Sequence, residues 1–235
     1  MKTIGLIGGT TWISTIDYYR NINQLVNERL GGLNSAKILL YSLNFEEFKP
    51  PSDPADWKRN ADILSEISQN LQDAGADCIL LCANTMHLVA DIVQQNISVP
   101  LIHIAEETAK EITKQNINTV GLLGTKIVME QPFFRDRLAK FGIETLIPGE
   151  VERGFIHDSI FNEFGVGIFK PETKKKYLDI IEKLKQKGAE GIIFGCTEIP
   201  LLIKEKESHL PVFDTLRIHA KAAVDFALAE YTIKI

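Results

Sequence analysis

Residues 192–200 read Ile-Ile-Phe-Gly-Cys-Thr-Glu-Ile-Pro, and the fold can be predicted outward from this stretch. An unbroken run of bulky apolar residues is typical of a strand buried in a parallel sheet. The run stops at Gly195, and Cys196 follows at the carboxyl end of the strand, where open α/β sheets bind their ligands. Cys196 is therefore a candidate nucleophile, metal ligand or proton-transfer group. A buried cysteine that packs as a small hydrophobe is the alternative.

The stretch has a counterpart in the first half of the chain. Three segments recur in the same order at nearly equal offsets: 4–8 with 120–124, 71–85 with 184–198, and 99–102 with 210–213. In this alignment Cys196 falls over Ala83, 113 residues earlier. Repeats of this kind indicate duplicated structural units. The sequence therefore predicts two similar α/β halves.

Strands and helices alternate along the chain, which predicts parallel sheets flanked by helices and joined by right-handed crossovers. We expect one domain to comprise 1–100 together with 212–235, whose closing helix would dock back on it, and the second to comprise 101–211. Two related halves that face each other would gather their strand ends around one cleft. The active site is expected in that interdomain cleft.

Composition excludes several functional classes. The chain has 235 residues, of which 45% are hydrophobic and 24% charged, with a formal net charge of −5. These values are ordinary for a soluble globular protein, and the acidic balance argues against nucleic-acid or membrane partners. The three cysteines lack metal-ligand spacing, and the N-terminus lacks the features of a signal peptide. We expect a cytoplasmic protein with free thiols and no metal site.

Three motifs together resemble one family. They are Gly-Leu-Ile-Gly-Gly at 5–9, Asn-Thr-Met-His at 84–87 and Gly-Cys-Thr-Glu-Ile at 195–199. In this order they are similar to the motifs of the cofactor-independent aspartate/glutamate racemases. The resemblance implies two flavodoxin-like domains with the active site between them, an amino-acid or carboxylate substrate, no cofactor, and a homodimer. It also implies one cysteine in each half, and these two thiols exchange the α-proton from opposite faces.

The chain departs from that pattern in its first half. The family's first cysteine falls at Ala83, and Cys82 stands one residue earlier. Neighbouring side chains of a strand point to opposite faces, so Cys82 is expected to point away from the site unless a bulge turns it inward. Cys196 is then the predicted acid/base, with a pKa that nearby backbone N–H groups lower, and exchange is one-sided or weak. The alternatives are a single-cysteine decarboxylase or isomerase, and a weakened amino-acid-binding protein.

Further substrate contacts are predicted from strand ends and from the resemblance. They are Thr10, Ser52, Asn84, Thr85, Lys170, Thr197 and Glu198. The small polar residues among them have helix capping as the alternative role, and Lys170 has that of a solvated loop lysine. The family's arginine after the second strand falls near Phe48, which casts doubt on recognition of an acidic side chain. His87 and His103 are expected to be structural.

Overall fold

The computed structural model describes residues 1–48 and 57–231. The chain divides into two compact units. The first unit comprises Met1–His103 together with the C-terminal segment that starts at His219, and the second comprises Ile104–Ile218. Each unit is built on its own parallel sheet and carries its own buried core.

The first unit alternates strands and helices in the predicted order. Its elements are β1 (Thr3–Gly8), α1 (Trp12–Leu30), β2 (Lys37–Ser42), α2 (Lys58–Asp73), β3 (Cys78–Leu81), a 3-10 helix (Thr85–Val89) and α3 (Ala90–Gln95). The strand order is β2-β1-β3, and both pairings are parallel. Leu101 adds a parallel bridge to Ile79 beyond β3. On α1, Tyr18, Ile22 and Val26 are fully buried at four-residue intervals, as expected for a helix packed on a sheet.

The second unit repeats this plan. Its elements are α4 (Ile104–Lys114), β4 (Thr119–Gly124), α5 (Lys126–Glu130), α6 (Pro132–Ala139), β5 (Glu144–Leu146), α7 (Glu150–Asn162), α8 (Pro171–Gln186), β6 (Gly191–Gly195), α9 (Ile199–Leu202), β7 (Val212–Asp214) and the start of α10 (Thr215–Leu228). The strand order is β5-β4-β6-β7, with every pairing parallel. Its core includes the fully buried rings of Phe134, Phe164 and Tyr177.

The same packing detail occurs in both units. A Cβ at Gly5 would lie 2.8 Å from Cδ1 of Ile79, and a Cβ at Gly121 would lie 2.6 Å from Cδ1 of Ile192. These four residues are two pairs of repeat equivalents. Glycine at this point of the first strand lets the third strand's isoleucine fold over it, so the predicted duplication extends to side-chain contacts.

A second shared detail fixes the start of each sheet. Asp77 accepts a hydrogen bond from the Thr3 N–H at 2.5 Å, and its own N–H donates to the Thr3 carbonyl at 2.8 Å. Glu190 does the same in the second unit, with its carboxylate 3.1 Å from the Thr119 N–H and its own N–H 2.8 Å from the Thr119 carbonyl. An acidic residue just before the third strand thus ties that strand to the first.

The division between the units differs from the predicted domain limits. We expected the first domain to end at 100 and to resume at 212, whereas the structure divides the chain after His103 and after Ile218. The chain re-enters the first unit at His219 rather than at 212, and strand β7 explains the difference. Strand β7 pairs in parallel with β6, Ile192 lying opposite Val212, so β7 belongs to the second sheet.

Candidate active site

Cys196 follows directly after β6, where the chain leaves the sheet. A Cβ at Gly195 would lie 2.9 Å from the Leu123 carbonyl, so glycine is needed there for the close approach of β4. Cys196 is 7% exposed and Glu198 is 4% exposed. The thiol donates a hydrogen bond to Oε2 of Glu198 at 3.0 Å. The chain turn therefore builds a buried thiol–carboxylate pair at the carboxyl end of the strand.

Thr197 completes this group. Its hydroxyl donates to the same oxygen, Oε2 of Glu198, at 2.9 Å. One carboxylate oxygen thus accepts from two neighbouring side chains, a thiol and a hydroxyl. Short contacts between consecutive residues are possible here because the chain turns at Thr197 and Glu198 before α9 begins.

The electrostatics of Cys196 contradict the prediction. Burial raises the pKa of its thiol well above the usual value, and the negative charge of Glu198 raises it further. The backbone N–H groups of Glu198 and Ile199 act in the opposite direction but are outweighed. The expectation of a lowered thiol pKa was therefore wrong, because a carboxylate beside a thiol stabilises the protonated sulfur. At neutral pH the group is a thiol.

Ala83 occupies the equivalent place in the first unit. Strand β3 ends at Leu81, and the 3-10 helix begins at Thr85. Ala83 is half-buried, and its carbonyl accepts a hydrogen bond from Nδ1 of His87 at 3.0 Å. Asn84 is buried and Thr85 is half-buried beside it. The first unit thus presents a methyl group where the second presents a thiol.

Cys82 is held in the interior of the first unit. Its side chain is 1% exposed, and its sulfur lies 3.9 Å from the carbonyl oxygen of Leu80. Its N–H donates to the Ile7 carbonyl at 2.9 Å, which continues the β1–β3 pairing by one bond. Burial raises the pKa of the Cys82 thiol well above its usual value, with the Ile7 backbone contact acting weakly in the other direction. These contacts are those of a packed thiol.

Two adjacent threonines, Thr10 and Thr11, follow the glycines of the turn after β1, and they have different contacts. Gly9 has φ of +90° and donates its N–H to Oγ1 of Thr15 at 2.8 Å. Thr11 is the N-cap of α1 and accepts from the N–H of Ser14 at 3.4 Å. Thr10 is half-buried between them. Of the two adjacent threonines, the cap is therefore Thr11, and Thr10 is left as the candidate contact.

Lys170 stands at the N-cap of α8 and is exposed. Its ammonium donates to Oε1 of Glu163 at 2.9 Å, and Thr173 donates to Oε2 of the same carboxylate at 2.7 Å. The predicted candidate Ser52 lies outside the described residues. Phe48, where the family's arginine was expected, is buried with 3% exposure.

A model of the Asp/Glu/Hydantoin racemase family matches residues 7–223 of this sequence. The chain belongs to this family. A crystal structure of a candidate Asp/Glu racemase from Yersinia pestis is 48% identical, covers 97% of this chain and 100% of that chain, and superposes with a TM-score of 0.90. The crystal structure of an aspartate racemase homologue from Pyrococcus horikoshii OT3 is 36% identical, with coverages of 97% and 99% and a TM-score of 0.84.

Among relatives found by sequence, the broad specificity amino-acid racemase RacX of Bacillus subtilis (strain 168) is 27% identical over 180 residues. The match spans 75% of this chain and 76% of that protein. The predicted racemase family and the predicted α/β class with parallel sheets are confirmed. The cysteine mechanism, the interdomain cleft, the homodimer, cofactor independence and the cytoplasmic location stay predictions.

For this racemase-family chain, two negative findings concern the described ranges 1–48 and 57–231. No helix there is both long enough and apolar enough to cross a membrane. No group of three or more His, Cys, Asp or Glu side chains in those ranges is arranged to hold a metal ion.

Sequence reasoning missed a buried pair of hydroxyl groups in the second unit. Tyr177, on α8, is fully buried, and its hydroxyl lies 2.9 Å from that of Ser159. Burial raises the pKa of Tyr177 well above its usual value, although the hydrogen bond with Ser159 acts in the opposite direction. Tyr177 has the helical spacing of an ordinary core residue, so the sequence carried no signal of this.

Proposed function

We propose that this chain exchanges the α-proton of an amino acid and that Cys196 is the acid/base, with Glu198 as its proton partner. The observation that carries the proposal is the 3.0 Å contact between the Cys196 sulfur and Oε2 of Glu198 in a buried place at the end of β6. A thiol alone with a raised pKa would be a poor source of thiolate. A carboxylate within hydrogen-bond reach supplies an acceptor for its proton.

The proposed reaction conserves charge at the pair. The thiol proton moves from Cys196 to Glu198, which leaves a thiolate beside a neutral carboxylic acid. The thiolate then takes the proton from Cα, the C–H bond breaks, and its electrons pass into the substrate carboxylate as an enediolate. Return of a proton to Cα restores the amino acid.

Hydrogen-bond donors must stabilise the enediolate as its charge grows. We propose Thr197 in the second unit for this work, together with Thr10, Asn84 and Thr85 in the first unit. Each of these side chains lies at or just after the carboxyl end of a strand. The reaction as proposed uses only side chains of this chain and needs no added cofactor.

We propose that exchange is one-sided. The methyl group of Ala83 cannot carry a proton, and the contacts of Cys82 are those of a packed thiol. Cys196 would therefore serve one face of the substrate, and the other face would depend on water. One enantiomer is expected to exchange faster than the other.

The test is α-proton exchange in deuterium oxide, followed by NMR for each enantiomer separately. Cys196→Ser is expected to abolish exchange, and Glu198→Gln to slow it by about 10²–10⁴-fold, the usual contribution of general acid–base catalysis. Cys78→Ser is the matched control, since it makes the same substitution at a buried thiol at the start of β3, away from the carboxyl end of the strand. Equal and fast exchange of both enantiomers would contradict one-sidedness.

Ala83 also favours a second candidate, a decarboxylase with a single cysteine that protonates an enediolate after carbon dioxide leaves. The same samples distinguish it, because a decarboxylase would release carbon dioxide from a disubstituted malonate and would not exchange an α-proton. A weakened binding protein would show ligand-dependent stabilisation without turnover in either the wild type or Cys196→Ser.

A further inference from the structure

The motif at 84–87 ends in His87, whose side chain turns back on the residues at its start. His87 is 2% exposed, and its Nδ1 lies 3.0 Å from the carbonyl oxygen of Ala83. A carbonyl oxygen can only accept a hydrogen bond, so we place the ring proton on Nδ1, which donates to Ala83. The backbone N–H of His87 donates to the Asn84 carbonyl at 3.1 Å. One residue therefore holds two consecutive carbonyl groups of the turn after β3.

These two hydrogen bonds fix the direction of the polar groups in the turn. A peptide unit is planar and trans, so a carbonyl and the N–H of the next residue point in opposite directions. Holding the Ala83 carbonyl orients the peptide that leads to Asn84, and holding the Asn84 carbonyl orients the peptide that leads to Thr85. Asn84 and Thr85 are the hydrogen-bonding residues proposed above for this turn, so their placement depends on His87.

The second unit secures its equivalent turn without a histidine. The 113-residue offset of the repeat places Pro200 opposite His87. The Cys196 carbonyl accepts from the Ile199 N–H at 3.2 Å, and Pro200 stands in the first turn of α9, where its φ is fixed by its ring. The first unit thus uses a side chain for a contact that the second makes with its backbone.

Two further buried histidines lie beside the His87 ring. The ring centroids of His87 and His103 are 4.7 Å apart with the planes at 64°, and those of His87 and His219 are 5.6 Å apart at 67°. His219 has different hydrogen-bond partners, with Nδ1 2.9 Å from the Tyr18 hydroxyl and Nε2 2.7 Å from the Ile102 carbonyl oxygen. Burial lowers the pKa of His87 well below its usual value, and His103 acts in the same direction. His87 is therefore a neutral donor at neutral pH.

We propose that His87 is a positioning residue of the proposed site, which orients the turn of Ala83, Asn84 and Thr85 so that the last two present their donors to the substrate carboxylate. This inference rests on the proposed function, because it concerns the same reaction. His87 acts through the turn and does not itself move the α-proton.

The experiment compares two amide replacements of the imidazole. In His87→Asn the amide nitrogen takes the place of Nδ1, whereas in His87→Gln it reaches the place of Nε2, so the first variant keeps a donor for the Ala83 carbonyl and the second does not. Exchange at Cα in deuterium oxide is followed by NMR for both enantiomers of alanine, asparagine, aspartate, glutamine and glutamate. His87→Asn is expected to keep kcat within about threefold of the wild type. His87→Gln is expected to lower kcat by about 10–10²-fold with KM nearly unchanged, because misplaced donors are missed mainly in the transition state.

His219→Gln is the matched control, since it alters a fully buried histidine of the same cluster whose hydrogen bonds go to Tyr18 and Ile102. It is expected to lower the free energy of unfolding in urea but to keep kcat within about twofold of the wild type. A wild-type kcat in His87→Gln, a His87→Asn enzyme as slow as His87→Gln, or equal losses of kcat in His87→Gln and His219→Gln would overturn the inference.

Crystal structures of the two His87 variants give a readout that does not depend on turnover. The backbone of residues 83–85 is expected to superpose on the wild type in His87→Asn and to be displaced by on the order of 1 Å in His87→Gln. An undisplaced turn in His87→Gln would overturn the inference. Absence of exchange by the wild type on every amino acid tested would count against the proposed function, and the crystal structures would still decide whether His87 positions the turn.

Discussion

Replacing Thr15 with valine tests how the turn after β1 is held in the shape that presents Thr10. Thr15 is 5% exposed, accepts a hydrogen bond from the Gly9 N–H at 2.8 Å, and donates its own hydroxyl proton to the Thr11 carbonyl at 2.9 Å. Gly8 leaves room for it, because a Cβ at Gly8 would lie 2.5 Å from Cγ2 of Thr15. One hydroxyl therefore joins the two sides of the turn.

The cost of Thr15→Val follows from these contacts. Valine keeps the branched shape but leaves the buried N–H of Gly9 without its acceptor, a loss of about 1–3 kcal/mol, and it also deprives the Thr11 carbonyl of a donor. We expect the free energy of unfolding to fall by about 2 kcal/mol or more. Thr15→Ser is the matched control: it keeps the hydroxyl and loses one methyl group, at a cost of about 1 kcal/mol.

Urea unfolding followed by far-UV circular dichroism measures both variants, provided that the slope of the transition is unchanged from the wild type. Thr15→Val is expected to unfold at a lower urea concentration than Thr15→Ser. If Thr15→Ser were the less stable of the two, packing of the methyl group against Gly8 would hold the turn, and the hydrogen-bond argument would be refuted.

Three other predictions concern single positions. Ala83→Cys is expected to raise exchange of the slower enantiomer by about 10²-fold if the new thiol serves the second face, measured by NMR in deuterium oxide. Burial lowers the pKa of His219 from 6.5 to about 3, so the unfolded chain binds this proton at a higher pH than the folded chain does. The free energy of unfolding therefore falls as the pH drops from 6.5 to about 3. His219→Gln should reduce the dependence of that free energy on pH by up to about 1.4 kcal/mol per pH unit, measured by urea unfolding at a series of pH values. Gly5→Ala is expected to cost about 1–3 kcal/mol of unfolding free energy and Gly121→Ala less, measured in urea. A Cβ at Gly5 would lie 3.0 Å from the Cys78 carbonyl oxygen, whereas the two atoms nearest to one at Gly121 are the Cδ1 ends of Ile192 and Leu184.

Each of these has a result that would count against its reasoning. An unchanged ratio of enantiomers in Ala83→Cys would mean that the half-buried site of Ala83 does not face the substrate. A pH slope in His219→Gln equal to that of the wild type would mean that this imidazole is not held neutral by burial. A larger loss in Gly121→Ala than in Gly5→Ala would mean that the isoleucine of β6 cannot move aside.

The duplicated architecture could be predicted from the sequence because it depends on glycines and isoleucines at fixed offsets. Gly5 and Gly121, with their partners on β3 and β6, make equivalent contacts, and the strand orders of the two sheets match. The exact start of α1 depends on which of two adjacent threonines caps it; Thr11 does, and the helix begins at Trp12. Local chemistry of this kind allows a boundary to shift by a residue or two.

The contacts of Lys170 and Cys196 could not be predicted, because they depend on tertiary structure. Lys170 and Glu163 are seven residues apart across the 3-10 helix Phe164–Val166, a separation with no periodic pattern that would mark an ion pair. The direction of the Cys196 pKa was also missed. The sequence shows a glutamate two residues after the cysteine, but only the fold buries the thiol and brings that carboxylate to 3.0 Å from the sulfur. Burial and the Glu198 charge together outweigh the backbone N–H groups.

The residues that follow β3 and β6 are equivalent in the repeat, but they differ in charge. In the repeat alignment Ala83 corresponds to Cys196, Asn84 to Thr197 and Thr85 to Glu198, so the first copy has neutral residues where the second has a thiol and a carboxylate. A neutral copy can hold a substrate carboxylate without adding negative charge, and a copy with a thiol–carboxylate pair can move a proton without changing its own charge. Under the proposed function, this difference in charge is the reason to expect that the proton leaves and returns through Cys196.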